Sequence, residues 1–192
     1  MCGIALLYGN SAHLHIQEAL NNLSHRGPDD KHYYLEEKLA LGFVRLAIND
    51  DSKLGRQPYS SDDMIGAING EIYNANALVK QYDLNLDTVC DTHAIVPLFA
   101  KLNAKVLTEL DGFYSGIIFQ KDTRSLYLLR DHIGKKPLFH GRANGHLFVV
   151  SELKALQNIE WFEQVPLGVS QLNFETGELT QIAHQKKAKQ VN

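Results

Sequence analysis

The chain has 192 residues, 44% hydrophobic and 21% charged, with a formal net charge of −3. That length holds one domain with a sizeable core, and the charge balance gives no electrostatic case for nucleic acid or an anionic membrane surface. No apolar run reaches the ~18 residues of a membrane span, and the first apolar segment lacks the basic leader of a signal peptide. The two cysteines, Cys2 and Cys90, make no disulfide framework, so a reducing, cytoplasmic location is expected.

In chain order, residues 3–8 read as a buried strand, and Ile16, Ala19, Leu20 and Leu23 lie at helical spacing within 14–24. Residues 33–37 and 39–48 look like paired strands, and 64–68 is another. Asn69-Gly70 then reads as a tight turn ending that strand, a ligand-facing segment, or both. Helical spacing returns over 75–81 and 91–102; Asp91-Thr92 supplies a start and Pro97 a shortening or a kink. A third short helix ends near Leu110. Strands come next over 113–120 and 125–130, then 138–142 and 146–150 around Asn144-Gly145, then 170–174 and 178–182 around Thr176-Gly177. The order predicts one α+β domain of antiparallel character. Lys186-Lys187-Ala188-Lys189 reads as a solvated terminal tail. The nine histidines show no ligand-like spacing, so no metal site is expected.

Cys2 comes directly after the initiating Met1. With Met1 removed, one residue carries both a thiol and a free α-amine, a nucleophile with its own base. The amine titrates at roughly 8 and a free thiol at about 8.5, so a proton passes between them at little cost near neutrality. Cys2 also reads, more plainly, as a packing residue opening a buried strand.

The residues downstream of Cys2 decide between these. An ordered series runs His25-Arg26-Gly27-Pro28-Asp29, Leu41 to Ile48, Gly55-Arg56-Gln57-Pro58, Asn69-Gly70-Glu71-Ile72-Tyr73-Asn74 and Cys90-Asp91-Thr92. It continues with Asp111-Gly112-Phe113, Arg130 to Leu138 and Ser151 to Leu156. The series resembles the class II glutamine amidotransferases, and within them the glutaminase domain of asparagine synthetases. The resemblance implies the N-terminal nucleophile hydrolase fold, an α+β four-layer αββα sandwich of two antiparallel sheets, over residues 2–182, with a flexible polar tail at 183–192.

It also implies roles. Cys2 would be the nucleophile, with the Asn69 side-chain amide and the Gly70 N–H as oxyanion hole. Arg45 would bind the glutamine α-carboxylate in a two-point fork, while Glu71 and Asp91 receive the α-ammonium. Arg26, Gly27 and Ile48 would shape the pocket, and Arg26 with Gly27 would serve equally to orient the first helix. Gln57-Pro58 reads as loop architecture, Cys90 as packing, and Arg130 with Asp131 as a scaffold ion pair or a contact with an ammonia-using domain. The chain departs from the family at Val44, at His93, which stands where Glu is usual, and at Ile133, which replaces an aromatic. None of these removes an implied catalytic atom.

The sequence contains no Ser-Gly-Gly-x-Asp-Ser loop and no Walker-type Gly-rich motif. No cofactor is therefore expected in this domain, and ATP and Mg²⁺ are expected only on a partner synthetase that receives ammonia. The other readings are a catalytically silent glutamine-binding or regulatory module and a truncated asparagine synthetase.

Overall fold

The computed structural model describes residues 1–48, 50–61 and 63–184. Its first sheet is built from β1 (Gly3–Tyr8), β2 (Asp30–Glu36), β3 (Leu39–Arg45), β8 (Phe139–Ala143), β9 (His146–Val150) and β10 (Ile159–Gln164), in the order β10-β8-β9-β1-β3-β2. The second holds β4 (Tyr59–Ser61), β5 (Met64–Ile72), β6 (Gly112–Gln120), β7 (Ser125–Arg130), β11 (Gly168–Leu172) and β12 (Leu179–Ala183), in the order β12-β11-β7-β6-β5-β4. Among the described residues every pairing is antiparallel.

Alternation along the strands sorts the apolar residues into three layers of core. Ile4, Leu6, Leu41 and Phe43 of the first sheet meet Ile65, Ala67, Ile117 and Phe119 of the second. On the outer face of the first sheet, Ala5, Leu7 and Val44 pack against Ile16, Ala19 and Leu20 of α1 (Ala12–Asn22). On the outer face of the second, Met64, Ile68, Tyr114 and Ile118 pack against α2 (Ala75–Gln81) and α3 (Ile95–Leu102). This is the expected four-layer αββα sandwich.

Several boundaries move, for local reasons. The segment read as one helix over 91–102 begins as a 3₁₀ turn, Asp91–Ala94, before α3. Pro97 then falls in the first turn of α3, where its missing N–H has no partner to lose. The third helix is a 3₁₀ segment, Asn103–Thr108. Asn144 and Gly145 both take positive φ, 49° and 75°, as a two-residue hairpin twisted to match its strands requires. The last strand, expected over 178–182, runs from Leu179 to Ala183. Most of the predicted tail, including Lys186, Lys187 and Lys189, lies outside the described residues. Among the described residues, no helix is long and apolar enough to cross a membrane.

Candidate active site

The register of β1 on β3 pairs Gly3 with Val44, which places Cys2 across from Arg45 one step further on. By strand parity Cys2 continues the inward face of Ile4 and Leu6, and Arg45 that of Leu41 and Phe43. From the opposite sheet Asn69 and Glu71 extend the inward face of Ile65 and Ala67, and Phe113 that of Ile117. These side chains meet at one end of the sandwich around a pocket of about 180 Å³, which Met1, Ile48, Gly70, Asp91 and Lys136 also line.

The tight-turn reading of Asn69-Gly70 is overturned. β5 continues to Ile72, and Asn69, Gly70 and Glu71 pair with Ser115, Tyr114 and Phe113 of β6. Their ladder is what fixes the direction of the Asn69 side chain. A Cβ on Gly70 would overlap the Phe113 carbonyl and lie 2.6 Å from Tyr114 Cα, so only glycine lets the two backbones come this close. Asn69 is 2% exposed, and its Nδ2 has no hydrogen-bond partner among the described residues. A buried amide donor without an acceptor costs about 1–3 kcal/mol, which is an arrangement suited to an arriving oxygen.

The Cys2 sulfur sits against the main chain of Leu46, whose N–H approaches at 3.4 Å and whose carbonyl lies at 3.7 Å. As a thiol it donates to the carbonyl; as a thiolate it accepts from the N–H. Arg26, 4% exposed, donates from Nε to the Cys2 carbonyl at 2.8 Å and from Nη1 to Glu152 at 2.5 Å. A Cβ on Gly27 would overlap the backbone of Val44 and Arg45. Its φ of −153° is ordinary extended backbone, so the requirement there is space. The Asp29 N–H donates to the Arg45 carbonyl at 3.0 Å, and its carboxylate accepts from Ala47 N at 2.8 Å. Residues 26–29 thus brace the nucleophile and the end of β3 from behind, without lining the pocket.

Arg45 is 7% exposed. Its Nη1 donates to the Ser52 carbonyl at 2.7 Å and its Nη2 to that of Asp50, so neutral acceptors fix the fork, and among the described residues no ion pair compensates its charge. The Asp50 carboxyl, also on the pocket wall, is held down at about 2, first by the Thr88 hydroxyl and then by Ser52. Asp91 accepts from the Ile72 N–H, tying the start of the 3₁₀ turn to the end of β5. Glu71 is exposed at the mouth, and Ile48 lies on the rim at 78% exposure.

The structure therefore gathers Cys2, Arg45, Ile48, Asn69, Gly70, Glu71 and Asp91 around one pocket and sets Arg26 and Gly27 behind it. Sequence reasoning missed Leu46, Phe113 and Lys136. All three lie inside quoted motifs, but nothing in the linear pattern turns them toward Cys2. Arg130 and Asp131 form no ion pair within reach of each other. Asp131, fully buried, accepts from the N–H groups of Tyr114, Ile133 and Gly134, while Arg130 donates to the carbonyls of Val165, Gly134 and Lys136. They are loop scaffold. Cys90 borders the pocket, and burial pushes its thiol up, away from reactivity. Gln57, 5% exposed, bonds both the N–H and the carbonyl of Ile68, which makes it a brace for β5.

Comparison with known proteins agrees with this geometry. The model of the glutamine amidotransferase domain matches residues 1–182. A probable glutamine-hydrolysing asparagine synthetase of Acanthamoeba polyphaga mimivirus is 36% identical over 179 residues, covering 86% of this chain and 32% of that protein. Asparagine synthetase B of Escherichia coli is 32% identical over 168 residues, covering 84% of this chain and 30% of that protein. The chain thus spans about a third of the length of these relatives. Among solved structures, the glutamine phosphoribosylpyrophosphate amidotransferase of B. subtilis superposes with a TM-score of 0.81 at 21% identity, over 94% of this chain and 49% of that one, which establishes the shared fold. The chain belongs to the glutamine amidotransferase domain family, and its sequence relatives are glutamine-hydrolysing asparagine synthetases.

Proposed function

We propose that this domain hydrolyses glutamine to glutamate and ammonia through Cys2 and supplies the ammonia to a separate, asparagine-synthetase-like partner that forms an amide. The observation that carries the reading is the buried Asn69 Nδ2, without a hydrogen-bond partner among the described residues, on the same pocket as Cys2 and Arg45.

With Met1 gone, the Cys2 α-amine takes the thiol proton, and the thiolate, steadied by the Leu46 N–H, attacks the carboxamide carbon. The oxygen that becomes negative is received by Asn69 Nδ2 and the Gly70 N–H. Arg45 takes the α-carboxylate, and Glu71 and Asp91 the α-ammonium. As the tetrahedral species collapses, the α-ammonium returns its proton to the leaving nitrogen; ammonia departs and a γ-glutamyl thioester remains. Water, deprotonated by the same amine, then releases glutamate. Nothing in this sequence of steps calls for a cofactor, and ATP with Mg²⁺ belongs to the amide-forming step on the partner. A reducing cytoplasm keeps the thiol competent.

Met1 lines the pocket beside Cys2. While it is attached, the Cys2 nitrogen is an amide and cannot act as the base. Glutamate release from glutamine should therefore be seen only with the processed chain and should be abolished in Cys2→Ala. Turnover that survives Cys2→Ala overturns the proposal. A processed chain that binds glutamine without turning it over identifies a silent binding module instead.

A further inference from the structure

Lys136 has no task in the reaction above, yet its placement is costly. It is 7% exposed and lines the pocket with Cys2, Asn69 and Glu71. The loop that presents it is fixed at both ends. Asp131 accepts from the N–H groups of Ile133 and Gly134 at 2.7 and 2.9 Å, while Arg130 donates to the carbonyls of Gly134 and Lys136 at 3.0 and 3.4 Å. The ammonium stands 4.8 Å from the centroid of the Phe113 ring, and that of Lys135 stands 4.0 Å from it.

Among the described residues Lys136 makes no ion pair within 4.0 Å. The charged and titratable groups that act on it are Arg26 and Lys135, both cationic, and Cys2 and Glu71. Burial first, then the two cations, push its pKa down, while Cys2 and Glu71 pull it up. A methionine would fill the same space without the desolvation of a charge. A cation kept there against burial and two like charges is suited to a pocket in which an anion forms.

We propose that Lys136 is a positioning residue for Cys2: its ammonium, held on the Phe113 face at the pocket wall, stabilises the thiolate from which attack begins. The inference rests on Cys2 being the nucleophile, and its test is separate from turnover.

The test uses the chain with Met1 removed. Carboxamidomethylation of Cys2 by iodoacetamide is followed against pH by peptide mass mapping, in the native protein, Lys136→Gln and Lys136→Arg. An opposite charge at close range lowers a pKa by about one unit or more. Lys136→Gln should therefore raise the labelling midpoint by about one unit and slow labelling about tenfold at neutral pH, and Lys136→Arg should restore both. An unchanged midpoint in Lys136→Gln overturns the proposal. Should the variants not fold, the unmutated protein decides. With ¹³C-labelled lysine, the Lys136 resonance should titrate at lower pH after Cys2 is capped than before, and identical titrations overturn it. Lysine-dependent labelling in a protein that does not hydrolyse glutamine would sink the proposed function and leave this coupling standing.

Discussion

Replacing Asn69 with alanine separates chemistry from scaffolding, because the two make opposite demands on this side chain. Asn69 is 2% exposed, and its Nδ2 donates to nothing among the described residues. The substitution removes a donor whose unpaired burial costs about 1–3 kcal/mol and loses packing of similar size, so stability should change by less than about 1 kcal/mol. Turnover should fall far more. Loss of one donor to a developing oxyanion typically costs about 10²–10³ in kcat, or roughly 2.7–4 kcal/mol, with little change in KM, because the charge develops only in the transition state. Gln57→Ala is the contrasting control. It strips partners from both the N–H and the carbonyl of buried Ile68 and should cost about 2–4 kcal/mol of stability by orphaning them. The assays are steady-state glutamate release and denaturant unfolding on the same preparations. Normal kcat in Asn69→Ala, or a stability loss above about 2 kcal/mol with kcat intact, would refute the oxyanion assignment.

Two further outcomes are set by the packing around the site. Gly27→Ala forces a Cβ into the Val44–Arg45 backbone; overpacking of this kind costs about 1–3 kcal/mol, and displacement of Arg45 should raise KM for glutamine, so unchanged unfolding and KM would contradict the bracing role. His93, 1% exposed and stacked on Tyr59 at 4.2 Å between ring centroids, is pushed from 6.5 to about 4, by burial first and Arg45 second. Between those values the unfolded chain binds more protons than the folded one. Stability is therefore full above pH 6.5 and falls as pH drops toward 4, by on the order of 3 kcal/mol in total. Unfolding measured across that range should show the slope in the native protein and a flatter one in His93→Phe, and equal slopes would remove His93 as the cause.

How much of this was legible in the sequence depends on what each signal records. β1 and β3 are buried on both faces and read as near-continuous apolar runs, so their existence was plain. β4 is too short to show a period, and β10, with Glu160, Trp161, Phe162 and Glu163 all exposed, offers no contrast between faces. Both were missed. The Asn69-Gly70 segment carries turn chemistry in its residue types, and only pairing with β6 reveals it as strand. That correction bears directly on the site, since a turn leaves the Asn69 amide free to point anywhere and a ladder allows two directions.

The site residues were named from motifs, yet motifs alone could not say which side chains share a cavity. Two facts of register supply that. β1 and β3 run antiparallel with Gly3 opposite Val44, so a nucleophile at the second residue necessarily lies across from Arg45. β5 places odd-numbered residues inward, so Asn69 and Glu71 face the first sheet while Gly70 lends its backbone. A one-residue slip in either pairing would turn Cys2 or Asn69 to the wrong face of its sheet. The braces make such a slip costly: Arg26 on the Cys2 carbonyl, Gly27 beneath β3, and Gln57 on Ile68 each hold a strand within one step of a site residue. Lys136 stayed hidden for the complementary reason. It comes from a loop whose course is set by Arg130 and Asp131 through backbone contacts, and no periodicity in the sequence reports where such a loop turns its one buried ammonium.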